Sequence, residues 1–151
     1  MSTEPRVLIV ESNDALRAML FTILRHQPVE VDTATTAEEA LAKVSTCDYA
    51  LAVVDMDMPN DAGPSFVRDF HAQRPEATTF ILAVRDPRNA EGFLDPDLVS
   101  AILNKPLEID LMAEVVRECA RVVPPPENPL ECPPAESDLR ANLDRGWSLT
   151  N

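Results

Sequence analysis

Tyr49-Ala50-Leu51-Ala52-Val53-Val54-Asp55-Met56-Asp57-Met58-Pro59 is the stretch from which the fold can be read. An unbroken apolar run ends at Asp55, and the chain turns at once through Met56 to Pro59. A short run of this kind, bounded by a turn signal, reads as a strand buried on both faces of a parallel sheet. Asp55 is therefore lifted to the carboxyl end of a buried strand, which is where open α/β sheets bind ligands. Two more ionisable residues follow similar runs: Glu11 after Val7-Leu8-Ile9-Val10, and Lys105 after Ala101-Ile102-Leu103-Asn104. Three strand ends pointing at one place predict a site.

Working outward, Arg6–Val10 reads as a first strand, and Leu16, Met19, Leu20, Ile23 and Leu24 follow at helical spacing until Pro28. Val29-Glu30-Val31-Asp32 alternates apolar with polar residues, as a strand with one wetter face does. Thr35 and Glu38 form a capping-box pattern ahead of Ala40, Leu41 and Val44. Beyond Asp55, Gly63-Pro64 opens a helix carrying Phe66, Val67 and Phe70, which Pro75 ends. Thr79–Val84 and Ala101–Asn104 read as the fourth and fifth strands. Between them Pro87, Gly92 and Pro96 interrupt the place of a crossover helix, so that helix is expected to be short or distorted. Leu111, Met112, Val115, Val116 and Cys119 give a last amphipathic helix before Pro124-Pro125-Pro126. Five strand–helix alternations predict a parallel α/β sheet with helices on both faces.

A chain of 151 residues suits one domain. Its net charge of −13 argues against nucleic acid or anionic lipid as partners and leaves a basic protein or a metal ion. Cys47, Cys119 and Cys132 are odd in number, far apart and near no His pair, which predicts neither a disulfide framework nor a zinc site. The expectation is a reduced, cytoplasmic protein, with no membrane span and no signal peptide in Met1-Ser2-Thr3-Glu4-Pro5. The domain is expected over 1–123. Residues 124–151 read as a proline-rich acidic tail, extended and flexible. Within that tail Ser137 is placed to cap a short helix bearing Leu139, Leu143 and Trp147, an alternative in which the tail docks.

Taken in order, Val7-Leu8-Ile9-Val10-Glu11, Val53-Val54-Asp55-Met56-Asp57-Met58-Pro59 with Gly63, and Asn104-Lys105-Pro106 resemble the receiver domain of bacterial two-component response regulators over residues 6 to 122. The resemblance implies a flavodoxin-like fold with strand order 2-1-3-4-5. It implies that Asp55 is the phosphoacceptor for a histidine kinase or phosphotransfer protein and that Lys105 contacts the phosphoryl group. A carboxylate attacking an anionic phosphoryl group needs a divalent cation to offset the repulsion. By the same resemblance magnesium is held at Glu11, Asp55 and the position of Asp57, where the family uses a backbone carbonyl.

Several positions depart from the family's pattern. Ser12 replaces the second acidic residue of the metal pair with a hydroxyl, a weak magnesium ligand, although as a helix N-cap beside Asn13 it has an ordinary structural role. Glu11, longer than the usual aspartate, or the Asp57 carboxylate offers a compensating oxygen. Val84 and Ile102 occupy the positions read as the family's hydroxyl and aromatic switch residues, and neither has the chemistry required. Neighbouring Arg85 reaches a phosphoryl group only if the strand end shifts by one residue, and otherwise reads as a solvated surface arginine. The sequence thus supports an atypical receiver with weak or no phosphorylation that acts through protein contacts, or a second copy, on the face of the fourth crossover, fifth strand and last helix. The alternatives are a working single-domain regulator phosphorylated on Asp55 and, from Asp55-Met56-Asp57 alone, a haloacid-dehalogenase-type phosphatase. No side chain is assigned a catalytic role in the receiver reading.

Overall fold

A computed structural model describes residues 4–89 and 95–144 of the chain, with the side chains of 141–144 excepted. The apolar runs become strands β1 (Arg6–Val10), β2 (Glu30–Ala34), β3 (Leu51–Asp55), β4 (Phe80–Arg85) and β5 (Ala101–Asn104). Between and after them lie helices α1 (Asp14–Leu24), α2 (Ala37–Thr46), α3 (Ala62–Gln73), α4 (Ile109–Val122) and α5 (Glu136–Asp144). All strand pairings are parallel and the order is β2-β1-β3-β4-β5, as expected.

Alternation along the central strands divides the core into two layers. Leu8, Val10, Ala52, Val54 and Ile81 face one way and pack with Ala40 and Val44 of α2 and Phe66 and Phe70 of α3. Val7, Ile9, Leu51, Val53, Leu82 and Val84 face the other way, toward Leu20 and Leu24 of α1 and Met112 and Val116 of α4. This two-sided burial explains why β3 contains no polar residue until Asp55, and β3 is buried along its whole length.

Two helix starts are one residue from where the sequence places them. Asn13, not Ser12, caps α1, its side-chain oxygen accepting from Leu16 N–H at 2.9 Å. Thr36, not Thr35, caps α2 by accepting from Glu39 N–H at 3.1 Å, and Glu39 reaches back to the Thr35 hydroxyl at 2.9 Å. Neighbouring Ser, Thr and Asn residues compete for one cap, and the backbone path selects the winner.

In the fourth crossover the described residues contain a single 3-10 turn at Pro87–Asn89 and a turn at 96–98. This agrees with a short or distorted element; Gly92 lies outside the described residues. Among the described residues no helix is long and apolar enough to cross a membrane.

Two expectations about the end of the chain are corrected. Cys47 and Cys132 form a disulfide with their Cα atoms 4.9 Å apart, and Cys119 is the free thiol. The chain beyond Pro124 is not a free linker over its described length. It returns to β2, burying Ala135 completely, and continues as α5. Ser137 lies inside the first turn of α5, and its hydroxyl accepts from Val31 N–H at 2.8 Å. Trp147 lies outside the described residues, as does the side chain of Leu143.

Candidate functional site

Glu11, Asp55 and Lys105 converge because β1, β3 and β5 end at the same edge of a parallel sheet. In β1 and β3 Val10 pairs with Val54, so Glu11 and Asp55 extend neighbouring strands in register. Both are largely buried, at 2% and 8% exposure. Lys105 follows β5 and precedes a cis bond to Pro106, and its ammonium reaches back over β4.

Lys105 Nζ donates to Asp55 Oδ1 at 2.9 Å and lies 3.1 Å from Asp57 Oδ2. Asp57 N–H donates to Asp55 Oδ1 at 2.9 Å, while Asp57 Oδ2 accepts from Asp86 N–H at 2.7 Å. Glu11 shares a side-chain hydrogen bond with Asp55. Its other oxygen, Oε2, is buried without a hydrogen-bond partner. A cavity of about 10 Å³ beneath the pair is lined by Ile9, Leu16, Leu20, Val53, Val84 and Leu107, space for at most one water.

These surroundings separate the two acids. Burial, then the hydrogen bond and charge of Asp55, push the Glu11 carboxyl up to about 8. Burial also acts to raise Asp55, but hydrogen bonds from Glu11, Lys105 and the Asp57 N–H outweigh it and hold Asp55 below its ordinary value. Lys105 is raised in turn: burial opposes its charge, and the hydrogen bonds to Asp55 and Asp57 more than restore it. The shifts run in opposite senses, Glu11 favouring its protonated form and Asp55 its ionised form, with Lys105 bridging Asp55 and Asp57.

Three further features support the site, and of these only Gly63 was marked in the sequence. The Arg17 guanidinium donates to the Glu11 carbonyl at 3.1 Å and to Asp14 at 2.6 Å. A Cβ at Gly63 would stand 2.4 Å from the Asp55 carbonyl oxygen, so only glycine lets the start of α3 pass this close to the site. The Asp86 N–H orients Asp57. A glycine two residues into a helix was a readable hint for the second feature; no local pattern marks the other two.

The switch positions separate on the sheet. Val84 is in register with Asp55 and belongs to the layer on the α1 and α4 side. Ile102 pairs with Ala83, not Val84, and is 42% exposed. Side chains on the two faces of a strand cannot act on each other, so the residue beside Ile102 is the methyl of Ala83. Neither Ala83 nor Val84 offers a hydroxyl. Arg85 ends β4 half-buried, with its Nε lacking a hydrogen-bond partner.

The sequence matches the response regulator receiver domain over residues 7–117. The chain belongs to this family. It is similar to the two-component response regulator PhoP of Pseudomonas aeruginosa, 36% identical over 80 residues, 53% of this chain and 36% of that protein. It is also similar to the regulatory protein VanRB of Enterococcus faecalis, 26% identical over 116 residues, 77% of this chain and 52% of that protein. The receiver thus spans about half, or less, of the length of these relatives. Among solved structures, the receiver domain of the Francisella response regulator 1452 superposes with a TM-score of 0.68 at 21% identity, covering 78% of this chain and 98% of that one. The response regulator TrrA of Thermotoga maritima, solved with Mg2+-BeF, gives 0.66 at 23% identity, covering 76% and 98%. These two likenesses show the fold. Family membership accounts for Asp55-Met56-Asp57 without the haloacid-dehalogenase-type phosphatase reading, and the family is one of signalling modules.

Receiver domains bind Mg2+ at the phosphorylation site. Among the described residues of this receiver, no group of three or more His, Cys, Asp or Glu side chains is arranged to hold a metal ion. Ser12 is exposed and brings only a hydroxyl, Asp55 is held by Lys105, and Asp57 is engaged by Lys105 and Asp86. As arranged, these residues do not fit the ion.

Proposed function

We propose that this chain is an atypical receiver module that signals through protein contacts, with Asp55 accepting little or no phosphoryl group. The observation that carries this reading is Ser12, an exposed hydroxyl where a metal-binding carboxylate would stand, beside a buried Asp55 already bridged to Asp57 by Lys105. Without an offsetting dication, Asp55 meets the full repulsion of an anionic phosphoryl donor. Lys105 is the only cation hydrogen-bonded to Asp55 among the described residues, and it already bridges Asp55 and Asp57.

On this reading Asp55 and Lys105 keep the end of the sheet in one conformation, and the absence of a hydroxyl at Ala83 and Val84 removes the usual report of a phosphoryl group. Partners are a histidine kinase, a phosphotransfer protein or another signalling protein, or a second copy of the chain. Exposed Ile102 of β5, and Ile109 and Leu111 at the start of α4, supply apolar contacts for them, being 42%, 51% and 45% exposed. The acidic charge disfavours nucleic acid, and a cytoplasmic setting suits such partners.

Calorimetric titration with magnesium chloride tests the reading. The native chain is expected to give no saturable heat at millimolar magnesium, and Ser12→Asp to gain it. Saturable binding by the native chain in the range of ordinary magnesium sites overturns it.

A further inference from the structure

The chain after α4 crosses the end of the sheet opposite Asp55. Pro124 O accepts from the Thr78 hydroxyl ahead of β4 at 3.3 Å, and Leu130 N–H donates to Asp48 ahead of β3 at 2.7 Å. Cys132 joins Cys47, and Pro133 O accepts from Arg6 at the start of β1 at 2.6 Å. The arm then reaches β2, the edge strand of the sheet.

There it replaces a missing strand. Val31 and Thr33 direct their N–H groups outward with the two-residue period of an unpaired edge. Ser137 Oγ accepts the first at 2.8 Å and Glu136 Oε1 the second at 2.9 Å. Glu136 also accepts from the Thr33 hydroxyl at 2.9 Å and Lys43 Nζ at 2.7 Å, and its own N–H donates to Asp32 at 2.9 Å.

This contact is polar and partly buried: Ser137 and its bond to Val31 N–H are buried, and the bonds of Glu136 are part-buried. Among the described residues of the arm Ala135 is fully buried, whereas Leu130 and Leu139 remain 38% and 37% exposed. A hydrogen bond contributes about 1 kcal/mol net and ordering one residue costs about as much, so these few contacts do not by themselves hold a long arm in place.

We propose that the Cys47–Cys132 disulfide is a reversible latch: closed, it holds the arm over the β2 edge, and opened by a dithiol it releases the arm and frees Val31 and Thr33 for strand pairing. Cys132 is half-buried and Cys47 almost wholly buried, so an incoming thiolate meets the Cys132 sulfur first. Attack there forms a mixed disulfide and expels the Cys47 thiolate. The second thiol of the reductant then displaces Cys132, closing the reductant's own disulfide. Cys47 and Cys132 together gain two electrons and two protons, and a small-molecule disulfide such as oxidised glutathione reverses the change.

Amide hydrogen exchange on the full chain tests this in three states: oxidised with glutathione disulfide, reduced with dithiothreitol, and as Cys132→Ser. Val31 and Thr33 are expected to exchange about tenfold faster or more in the reduced and variant states, with Val53 and Val54 of β3 unchanged. Equal protection of Val31 and Thr33 in the oxidised and reduced states overturns the latch, because hydrogen bonds alone would then hold the arm. So does loss of protection throughout β3 in the reduced native chain, since the bond would then hold the fold. Free thiols at both Cys47 and Cys132 after oxidation, read by alkylation and peptide mass, also overturn it. If Cys132→Ser misfolds, the reduced native chain decides.

Discussion

Glu11 and Asp55 share one hydrogen bond at the end of two adjacent strands, and burial drives Glu11 to keep the proton while Asp55 gives up its own. The native state therefore holds a proton between the ordinary carboxylate range and about pH 8 that the unfolded chain releases. Folding stability from Glu11 is present at low pH and falls as pH rises through that window. Asp55, depressed in the fold, contributes in the opposite sense, its stabilisation being lost only in acid. Urea melts at pH 6 and pH 8 are expected to show a loss of about 1 to 3 kcal/mol in the native chain at the higher pH. Glu11→Gln, which keeps a donor without a titrating proton, is expected to flatten that slope.

Lys105 is the countercharge for two carboxylates. Lys105→Met leaves Asp55 and Asp57 facing each other and is expected to cost about 1 to 3 kcal/mol in urea unfolding at pH 7. Much of that loss should be recovered when Asp55→Asn is added, a coupling that a double-mutant cycle measures. Strict additivity of the two changes would mean that the 2.9 Å contact contributes nothing.

Gly63 fixes how closely α3 approaches the site. Gly63→Ala places a methyl against the Asp55 carbonyl oxygen, a backbone atom that cannot swing aside, and is expected to destabilise by about 1 to 3 kcal/mol. Nuclear magnetic resonance shifts at Asp55 and Met56 should move with it, whereas Ala77→Gly on the distant loop should leave them in place.

Asp32 is a buried carboxylate satisfied from several directions. Arg6 reaches it at 2.6 Å, the Tyr49 hydroxyl donates at 2.6 Å, and Glu136 N–H donates from the arm. Asp32→Ala strands the Arg6 guanidinium and the phenol and is expected to cost about 3 kcal/mol or more in thermal or chemical unfolding. Asp14→Ala, which removes a pair exposed on the carboxylate side, should change stability by less than about 1 kcal/mol.

The sheet was legible in the sequence because β1, β3 and β4 are buried on both faces and so read as unbroken apolar runs. The site was legible for the same reason: an ionisable residue ending such a run has nowhere to go but the sheet's carboxyl edge. Caps were readable only to within one residue, since Ser12 and Asn13, and Thr35 and Thr36, are chemically alike. The Cys47–Cys132 bond spans 85 residues and depends on the route of the arm across the sheet, which no local spacing encodes. A docked tail was legible only as an alternative resting on Ser137, Leu139, Leu143 and Trp147, because the anchors through Glu136 and Ser137 are hydrogen bonds to a bare strand edge, which leave no apolar periodicity. Register set the relation of Ile102 to Ala83, and register is fixed by the neighbouring strands, not by the residues themselves.

The most direct measurement is the intact mass of the native chain after incubation with magnesium and a small-molecule phosphodonor, beside Ser12→Asp and Asp55→Asn. The account predicts no phosphoryl adduct, or only a trace, on the native chain, a clear adduct on Ser12→Asp, and none when Asp55→Asn is added to it. A near-complete adduct on the native chain that disappears in Asp55→Asn would contradict the account and make this a phosphorylated receiver of the ordinary kind.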